Sequence, residues 1–366
     1  MRFHGVRGFL GSCAFLALSL AAVAHASEAA HNYRDKNFDY FVSGDPSLPR
    51  ATRTEFGLAL MGGGGSVDAA FHFIATHAGG GHIVILRAVS DDSFDAGDGD
   101  YGERFMKKWG PVESAETIVF HNRGASGDPR VLAVLKNADG IFLAGGDQAN
   151  YVRYWKGTAV QDLLNAHVRA GRPIGGSSAG LAVLGNYCYT AFDGGSMESK
   201  VALADPLDPG VTLERDFLHY HWLEDVITDT HFSQRHRLGR LIAFVARLNA
   251  DIPDGDGRRV IGVGVDERTA ILVDAKGVGS LAPGSAGSAW FVEPQQRASV
   301  LEKGKALSIA QIRLSRVDGN GSFDFGARAP RHAAATALIS LKDGKLGEPS
   351  IATPIIERDK TPEGEG

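Results

Sequence analysis

Residues 176–180 read G-S-S-A-G and match the G-x-S-x-G pattern, in which a nucleophilic serine occupies a sharp turn. The apolar Pro173 and Ile174 precede the motif and a helix-like stretch follows it, so the serine falls between a strand and a helix. The amide of Ala179, at the start of that helix, is placed to stabilise an oxyanion. The motif therefore predicts Ser178 as the nucleophile of a hydrolase, with an ordinary glycine turn as the alternative.

The segment 229–240 reads DTHFSQRHRLGR and concentrates groups that could assist such a nucleophile. His231 ends a predicted strand at the edge where Ser178 should emerge, which makes it the candidate general base. Three arginines follow near a helix start, where cations oppose the helix dipole and are better explained by binding a carboxylate. A packed histidine and a solvated charged face are the alternatives. The arginines are Arg235, Arg237 and Arg240.

The order of the serine, the histidine and the carboxylates along the chain helps to exclude one fold. The best downstream carboxylates, Asp266 and Glu267, come after His231. An α/β-hydrolase would order its triad as serine, then Asp or Glu, then histidine. The order found here therefore argues against an α/β-hydrolase.

Other chemistry-bearing stretches carry weaker signals. The glycine run 62–65 follows a strand, but it lacks the P-loop Lys-Ser/Thr and the G-x-G-x-x-G spacing, so we interpret it as a tight turn that forms a wall of the site. His219 and His221 have no third ligand at a suitable spacing, and no metal site is predicted. The acidic loop 91–100 is interpreted as solvated and near the substrate, and Cys188 as a buried small hydrophobe.

The elements that must position these residues begin near residue 56. Short apolar runs alternate with helix-like stretches, which predicts a mostly parallel sheet covered by helices on both faces. Ligands of such α/β sheets bind at the carboxyl ends of the strands. Residues 260–265 and 269–273 are predicted to be paired strands. The predicted strands of the sheet itself are 56–61, 82–88, 117–121, 140–144 and 173–177.

Composition narrows the class of protein. The chain has 366 residues, 47 of them glycine, and a net charge of −5, which argues against a nucleic-acid-binding surface. No apolar stretch reaches the roughly 20 residues that span a bilayer. Arg2 and Arg7 precede a short apolar region, and Ala24-His25-Ala26 offers a cleavage site, so we predict a signal peptide cleaved after Ala26 and a secreted or periplasmic mature protein.

These observations predict the organisation of the chain. A signal peptide covers 1–26, and a polar, aperiodic N-terminal arm covers 27–53. One catalytic α/β domain covers 54–293, and a β-leaning C-terminal extension with a polar tail covers 294–366.

Four motifs occur in one order along the chain, and together they resemble the cyanophycinase branch of the dipeptidase E-like serine peptidases over about residues 56–292. The motifs are Gly145-Gly146-Asp147-Gln148, residues 176–180, residues 229–240, and residues 262–270, which read GVGVDERTA. The resemblance implies a fold similar to that of class I glutamine amidotransferases, with serine in place of cysteine as the nucleophile.

The resemblance also implies roles. Ser178 would be the nucleophile, His231 the base and Glu267 the carboxylate that orients it, with Gly146 and Asp147 in an oxyanion loop. The branch cleaves cyanophycin, a β-linked aspartyl-arginine polymer, to β-Asp-Arg dipeptides through an acyl-enzyme, and it uses no metal or organic cofactor. The implied substrate pocket is lined by Gln148, Asp229, Arg235, Arg237 and Arg240.

Two positions depart from the resemblance. Thr230 stands where a close cyanophycinase match would have glutamine, and His236 where the branch tends to have glycine. A dipeptidase for short aspartyl or isoaspartyl peptides and a catalytically inactive binding protein on the same fold therefore stay open. A homodimer is also left open, and neither nucleic acid nor, for the mature chain, a membrane is expected as a partner.

Overall fold

The computed structural model describes Met1 and residues 32–89, 100–253, 256–332 and 335–347. The rest of the predicted signal peptide with its cleavage site near Ala26, most of the acidic loop 91–100 and the polar tail lie outside the described residues. No helix among the described residues is long and apolar enough to cross a membrane.

The described strands and helices follow in chain order. The strands are β1 (Tyr33–Arg34), β2 (Phe38–Gly44), β3 (Leu58–Met61), β4 (His82–Ala88), β5 (Ser114–Phe120), β6 (Gly140–Leu143), β7 (Ile174–Ser177), β8 (Tyr187–Tyr189), β9 (Leu213–Arg215), β10 (Val226–Asp229), β11 (Ile261–Val265), β12 (Ala270–Val273), β13 (Val278–Leu281), β14 (Ala289–Pro294), β15 (Ile309–Val317), β16 (Ser322–Asp324), β17 (Ala329–His332), β18 (Ala335–Lys342) and β19 (Lys345–Leu346). The α-helices are α1 (Asp68–His77), α2 (Asp100–Arg104), α3 (Pro129–Asn137), α4 (Gln148–Trp155), α5 (Ala159–Arg169), α6 (Ala179–Ala182), α7 (Ser199–Ala204) and α8 (Leu238–Ala250). A π-helix covers Phe105–Trp109.

The first sheet has the strand order β1-β2-β5-β4-β6-β7-β3-β12-β13-β16-β17. Only its centre, from β5 to β3, is parallel. The flanking strands β2 and β12 run antiparallel to their central neighbours, so the prediction of a mostly parallel sheet is only partly right. Parallel pairing needs a long crossover, which the helices between the central strands provide, whereas short turns such as the one between β12 and β13 impose antiparallel pairing.

The second sheet has the order β19-β18-β15-β14-β11-β10-β8-β9, and only β8, β10 and β11 are parallel in it. The predicted pair 260–265 and 269–273 is wrong, because β11 belongs to this sheet and β12 to the first. Asp266 anchors the connection between them to the second sheet by accepting from the Ser288 amide, and the amide of Gly62 donates to the Thr269 carbonyl in the first. The chain thus crosses between the sheets at 266–269.

The ends of the chain extend both sheets. The region predicted as an aperiodic arm contains β1 and β2, and β2 pairs along its length with β5. Beyond residue 293, β15, β18 and β19 extend the second sheet, while β16 and β17 extend the first. The proposed domain boundaries stay a prediction.

Side-chain alternation along the central strands builds a core on each face of the first sheet. Leu58 and Leu60 of β3 pack on the face covered by α3, α4 and α5, and Ala59 and Met61 pack on the face covered by α1 and the π-helix. The sheet is therefore covered by helices on both faces, as the alternating pattern predicts. The helix α8 covers one face of the second sheet.

Candidate active site

Ser178 occupies a strained turn between β7 and α6. Its φ of 53° and ψ of −119° are unusual for a residue with a side chain. The turn is tight because its neighbours are glycines: a Cβ on Gly176 would lie 2.5 Å from the Gly180 carbonyl oxygen, and one on Gly180 would lie 2.1 Å from the Leu143 oxygen. The local sequence therefore forces the serine hydroxyl out at the carboxyl edge of the sheet.

His231 lies just after β10 and bridges the serine and a carboxylate. Its Nε2 is 2.8 Å from the Ser178 Oγ, and its Nδ1 is 2.6 Å from the Glu267 Oε1. A carboxylate only accepts, so the proton belongs on Nδ1, and the Ser178 hydroxyl donates to the free Nε2. This is the geometry of a nucleophile, a general base and a group that orients the base.

The two consecutive carboxylates after β11 do different things. Asp266 accepts from the Ser233 amide at 2.9 Å and the Ser288 amide at 3.0 Å, so it ties loops together. Glu267 is the one that reaches His231. The structure thus brings Ser178, His231 and Glu267 together, and their catalytic roles stay a prediction.

The protonation state of the His231 imidazole suits a general base. Burial lowers the pKa of its imidazole below the ordinary value of 6.5, and the nearby cations Arg235 and Arg237 lower it further. The hydrogen bond to Glu267 opposes these effects by raising the pKa. The net direction is downward, so the ring is neutral at pH 7 and Nε2 can accept a proton.

A cavity of about 250 Å³ opens beside the serine. It is lined by Ser178, His231 and every residue predicted for substrate binding or the oxyanion. The loop 194–196 and Tyr189 also line it, and the sequence analysis did not single them out. The predicted lining residues, besides Ser178 and His231, are Gly146, Asp147, Gln148, Ala179, Asp229, Arg235, Arg237 and Arg240.

The oxyanion candidates Gly146, Asp147 and Ala179 all line this cavity. Among the described residues, the amides of Gly146, Asp147 and Ala179 donate to no hydrogen-bond partner. The Asp147 carboxylate accepts from the Ala149 amide at 2.9 Å and so begins α4. The loop is therefore held from within while its amides stay available, which is what an oxyanion hole requires.

Two of the predicted substrate-binding arginines already have partners. Arg240 donates to both carboxylate oxygens of Asp229, at 2.8 and 2.5 Å, and Arg237 lies 3.5 Å from the same carboxylate. The Ser196 hydroxyl accepts from both guanidinium groups, and the hydroxyl and carbonyl of Thr230 accept from Arg237. We refer to these five residues as the arginine network.

The arginine network is buried in the cavity wall. Arg240 is only 2% exposed and Arg237 7%. Burial lowers the pKa of Arg237 to about 10, which keeps it protonated at neutral pH. Two cations thus share one carboxylate, and the network holds a net positive charge that favours an anion in the cavity.

Arg235 behaves differently from the other two arginines. Its side chain is exposed, it lines the cavity, and it forms no hydrogen bond or ion pair with any described residue. Of the three cations, it is the one whose guanidinium can bind a substrate carboxylate without losing a protein partner.

His219, His221 and Cys188 do not line this cavity. His219 is 3.1 Å from the Asn186 amide nitrogen, and His221 is 3.6 Å from a Glu224 oxygen. In the described part of the chain, no group of three or more His, Cys, Asp or Glu side chains could hold a metal. Burial raises the pKa of the Cys188 thiol to about 12, so it is not a reactive group.

Comparisons with known proteins connect this geometry to a family. The profile of Peptidase family S51 matches residues 94–207. A cyanophycinase from Trichormus variabilis is 30% identical over 237 residues, covering 63% of this chain and 70% of its own. One from Synechococcus elongatus is 29% identical over 226 residues, covering 60% and 63%. A crystal structure of a peptidase from an acI-B1 Actinobacterium matches 75% of this chain and 98% of its own, with 14% identity and a TM-score of 0.47.

Proposed function

Since this chain belongs to the cyanophycinase branch of the dipeptidase E-like serine peptidases, Peptidase family S51, we propose that it hydrolyses cyanophycin through an acyl-enzyme. It is a serine-type peptidase, and the two sequence relatives compared above are cyanophycinases. The observation that carries the proposal is the hydrogen-bonded series Ser178, His231 and Glu267 beside a cavity lined by Arg235, whose side chain has no partner among the described residues.

In the first step, the Ser178 Oγ attacks the scissile carbonyl while the His231 Nε2 takes its proton. The 2.8 Å hydrogen bond between these atoms supports direct transfer. Glu267 keeps the imidazole in the correct tautomer and stabilises the imidazolium that forms. The amides of Gly146 and Ala179 donate to the oxyanion.

In the second step, the leaving amine takes the proton from His231 and departs. Water then attacks the acyl-enzyme, His231 removes a proton from it, and the Ser178 oxygen leaves as the restored hydroxyl. A β-Asp-Arg product keeps the β-linkage between its two residues. The scissile bond must therefore be the main-chain peptide bond between neighbouring aspartates of the polymer.

Recognition depends on charge. Each unit of the polymer carries an arginyl carboxylate and a guanidinium. Arg235 is available for the carboxylate, and the net charge of the arginine network supports an anion nearby. Gln148 lines the same cavity and offers both a donor and an acceptor to the substrate.

Clearing of insoluble cyanophycin tests the proposal. The purified protein should clear a suspension of polymer granules, and mass spectrometry of the soluble fraction should find β-Asp-Arg. Ser178→Ala is the control for a contaminating hydrolase and should leave the turbidity unchanged. A suspension that the wild-type protein does not clear would contradict the proposed substrate.

A second candidate function is a dipeptidase for short aspartyl or isoaspartyl peptides. Thr230 stands where glutamine is expected, and its hydroxyl accepts from the Arg237 guanidinium at 3.1 Å. The Thr230 hydroxyl thus binds within the arginine network, and the departure from glutamine at this position favours a substrate other than the polymer. Faster hydrolysis of short α- or β-aspartyl peptides than of the polymer would favour this candidate.

We also propose export of the mature protein, because the first 26 residues have the charge, apolar region and cleavage site of a signal peptide. Mass spectrometry of protein from an expressing culture would test it. A mature chain beginning at Ser27 in the periplasm or medium is expected, and an intact, cell-retained Met1 would contradict export.

A further inference from the structure

One short turn after β3 touches every member of the predicted triad. The carbonyl of Met61 accepts from the Ser178 amide at 3.1 Å, and the carbonyl of Gly62 accepts from the His231 amide at 2.9 Å. The carbonyl of Gly63 accepts from the amide of Arg268, the residue after Glu267, at 2.7 Å. Three consecutive peptide groups thus each bind one of the three segments.

The three segments come from different parts of the fold. Ser178 follows β7 of the first sheet, and His231 follows β10 of the second. Glu267 lies where the chain crosses from one sheet to the other. A relative shift of the two sheets would separate the serine from its base, and the hydrogen bonds to residues 61–63 oppose that shift.

The glycines of the same turn also lie against the side chains of all three triad residues. A Cβ on Gly63 would lie 2.6 Å from the His231 Nε2 and 3.0 Å from the Ser178 Cβ. A Cβ on Gly64 would lie 2.6 Å from the Glu267 carboxyl carbon. Both glycines have positive φ, 90° and 69°, so the backbone conformation and the space each exclude a side chain.

We propose that residues 61–64, called here the catalytic turn, position the triad, and that Gly63 is the residue that keeps the His231 imidazole in line with the Ser178 hydroxyl. This inference rests on the proposed function, because it needs the triad to be the catalytic group. It assigns a role to the glycine run that is independent of any bound nucleotide or anion.

Gly63→Ala tests the inference. The added methyl group must push the imidazole away from its present position, so kcat should fall by about 100-fold, as for reacting groups misplaced by about 1 Å. KM should change little, because the cavity is lined by other residues. The rate at which a fluorophosphonate labels Ser178 should fall in parallel, since labelling needs the same base.

Gly284→Ala is the matched control. Gly284 also has a positive φ, 83°, but a Cβ there meets nothing within 4 Å, so the variant carries the backbone strain without the contact. Its labelling rate and kcat should equal those of the wild type. The pH profile provides a further readout: a displaced, more hydrated imidazole should move the acid limb of kcat in Gly63→Ala to higher pH, which global destabilisation would not do.

Each outcome decides the inference. A folded Gly63→Ala with kcat and labelling within about twofold of wild type would overturn it. If that variant does not fold, Gly64→Ala replaces it, and a folded Gly64→Ala that labels at the wild-type rate overturns the inference as well. A wild-type protein whose Ser178 does not react with the probe would instead refute the proposed function.

Discussion

The catalytic turn and the arginine network hold the site together in different ways. The catalytic turn holds the triad with backbone carbonyls and glycines, whereas the arginine network consists of side chains that hold one another. Because the catalytic turn acts through backbone atoms, a substitution can affect it only by adding atoms, as at Gly63. In the arginine network each side chain can be removed by itself. The two regions should therefore respond to substitution in different ways.

The largest effect is expected at the triad. Ser178→Ala should lower kcat by about 10⁴-fold or more, because the nucleophile is lost. Folding should be unaffected, since the Ser178 amide still donates to Met61. Steady-state kinetics with circular dichroism would check this, and hydrolysis at the wild-type rate would exclude Ser178 as the nucleophile.

In the arginine network, Asp229→Ala should lower the stability of the protein. It leaves Arg240, 2% exposed, without its only described carboxylate partner, and a broken buried ion pair costs about 3–5 kcal/mol. A urea titration would measure the fall in the free energy of unfolding. Glu302→Ala, which removes an exposed pair with Lys305, is the control and should leave the midpoint unchanged. Equal midpoints for Asp229→Ala and wild type would show that the network is not structural.

Ser196→Ala should have a smaller effect of the same kind. The variant removes an oxygen that accepts from both Arg237 and Arg240, and an unsatisfied buried donor costs about 1–3 kcal/mol. Ser196→Thr keeps the hydroxyl and should restore part of the loss in a thermal melt. No difference between the alanine and threonine variants would contradict the bridging role.

The smallest effects should follow Arg235→Gln, which leaves the network intact. Loss of a carboxylate contact should raise KM by about 10-fold, which corresponds to about 1.4 kcal/mol, with kcat nearly unchanged. A KM equal to that of the wild type would show that Arg235 does not bind the substrate.

The same variant should alter the pH dependence. His231 must be neutral to act as a base, so activity rises with pH through its pKa, which burial and the neighbouring cations hold below 6.5. Removing the Arg235 charge should move the midpoint of this acid limb upward, toward 6.5. An unchanged or lowered midpoint in a pH–rate profile would contradict this electrostatic coupling.

Strands were predictable where their signals are local. The run 82–88 coincides with β4, and the predicted turn at Ser178 lies between β7 and α6, because apolar runs and glycine turns act over a few residues. The strand β2 was missed. It pairs with β5, whose residues lie dozens of positions further along the chain. The sequence of β2 carries no local sign of that pairing.

The sequence by itself determined which groups are available: the serine on its strained turn, the histidine ending a strand, and the arginines near α8. Only the tertiary structure decided what each group does. It brought Glu267 to the histidine, whereas the neighbouring Asp266 accepts from the Ser233 and Ser288 amides and ties loops together. It also paired the buried Arg240 with Asp229 and left the exposed Arg235 without a side-chain partner among the described residues, because a buried charge is costly unless it is paired.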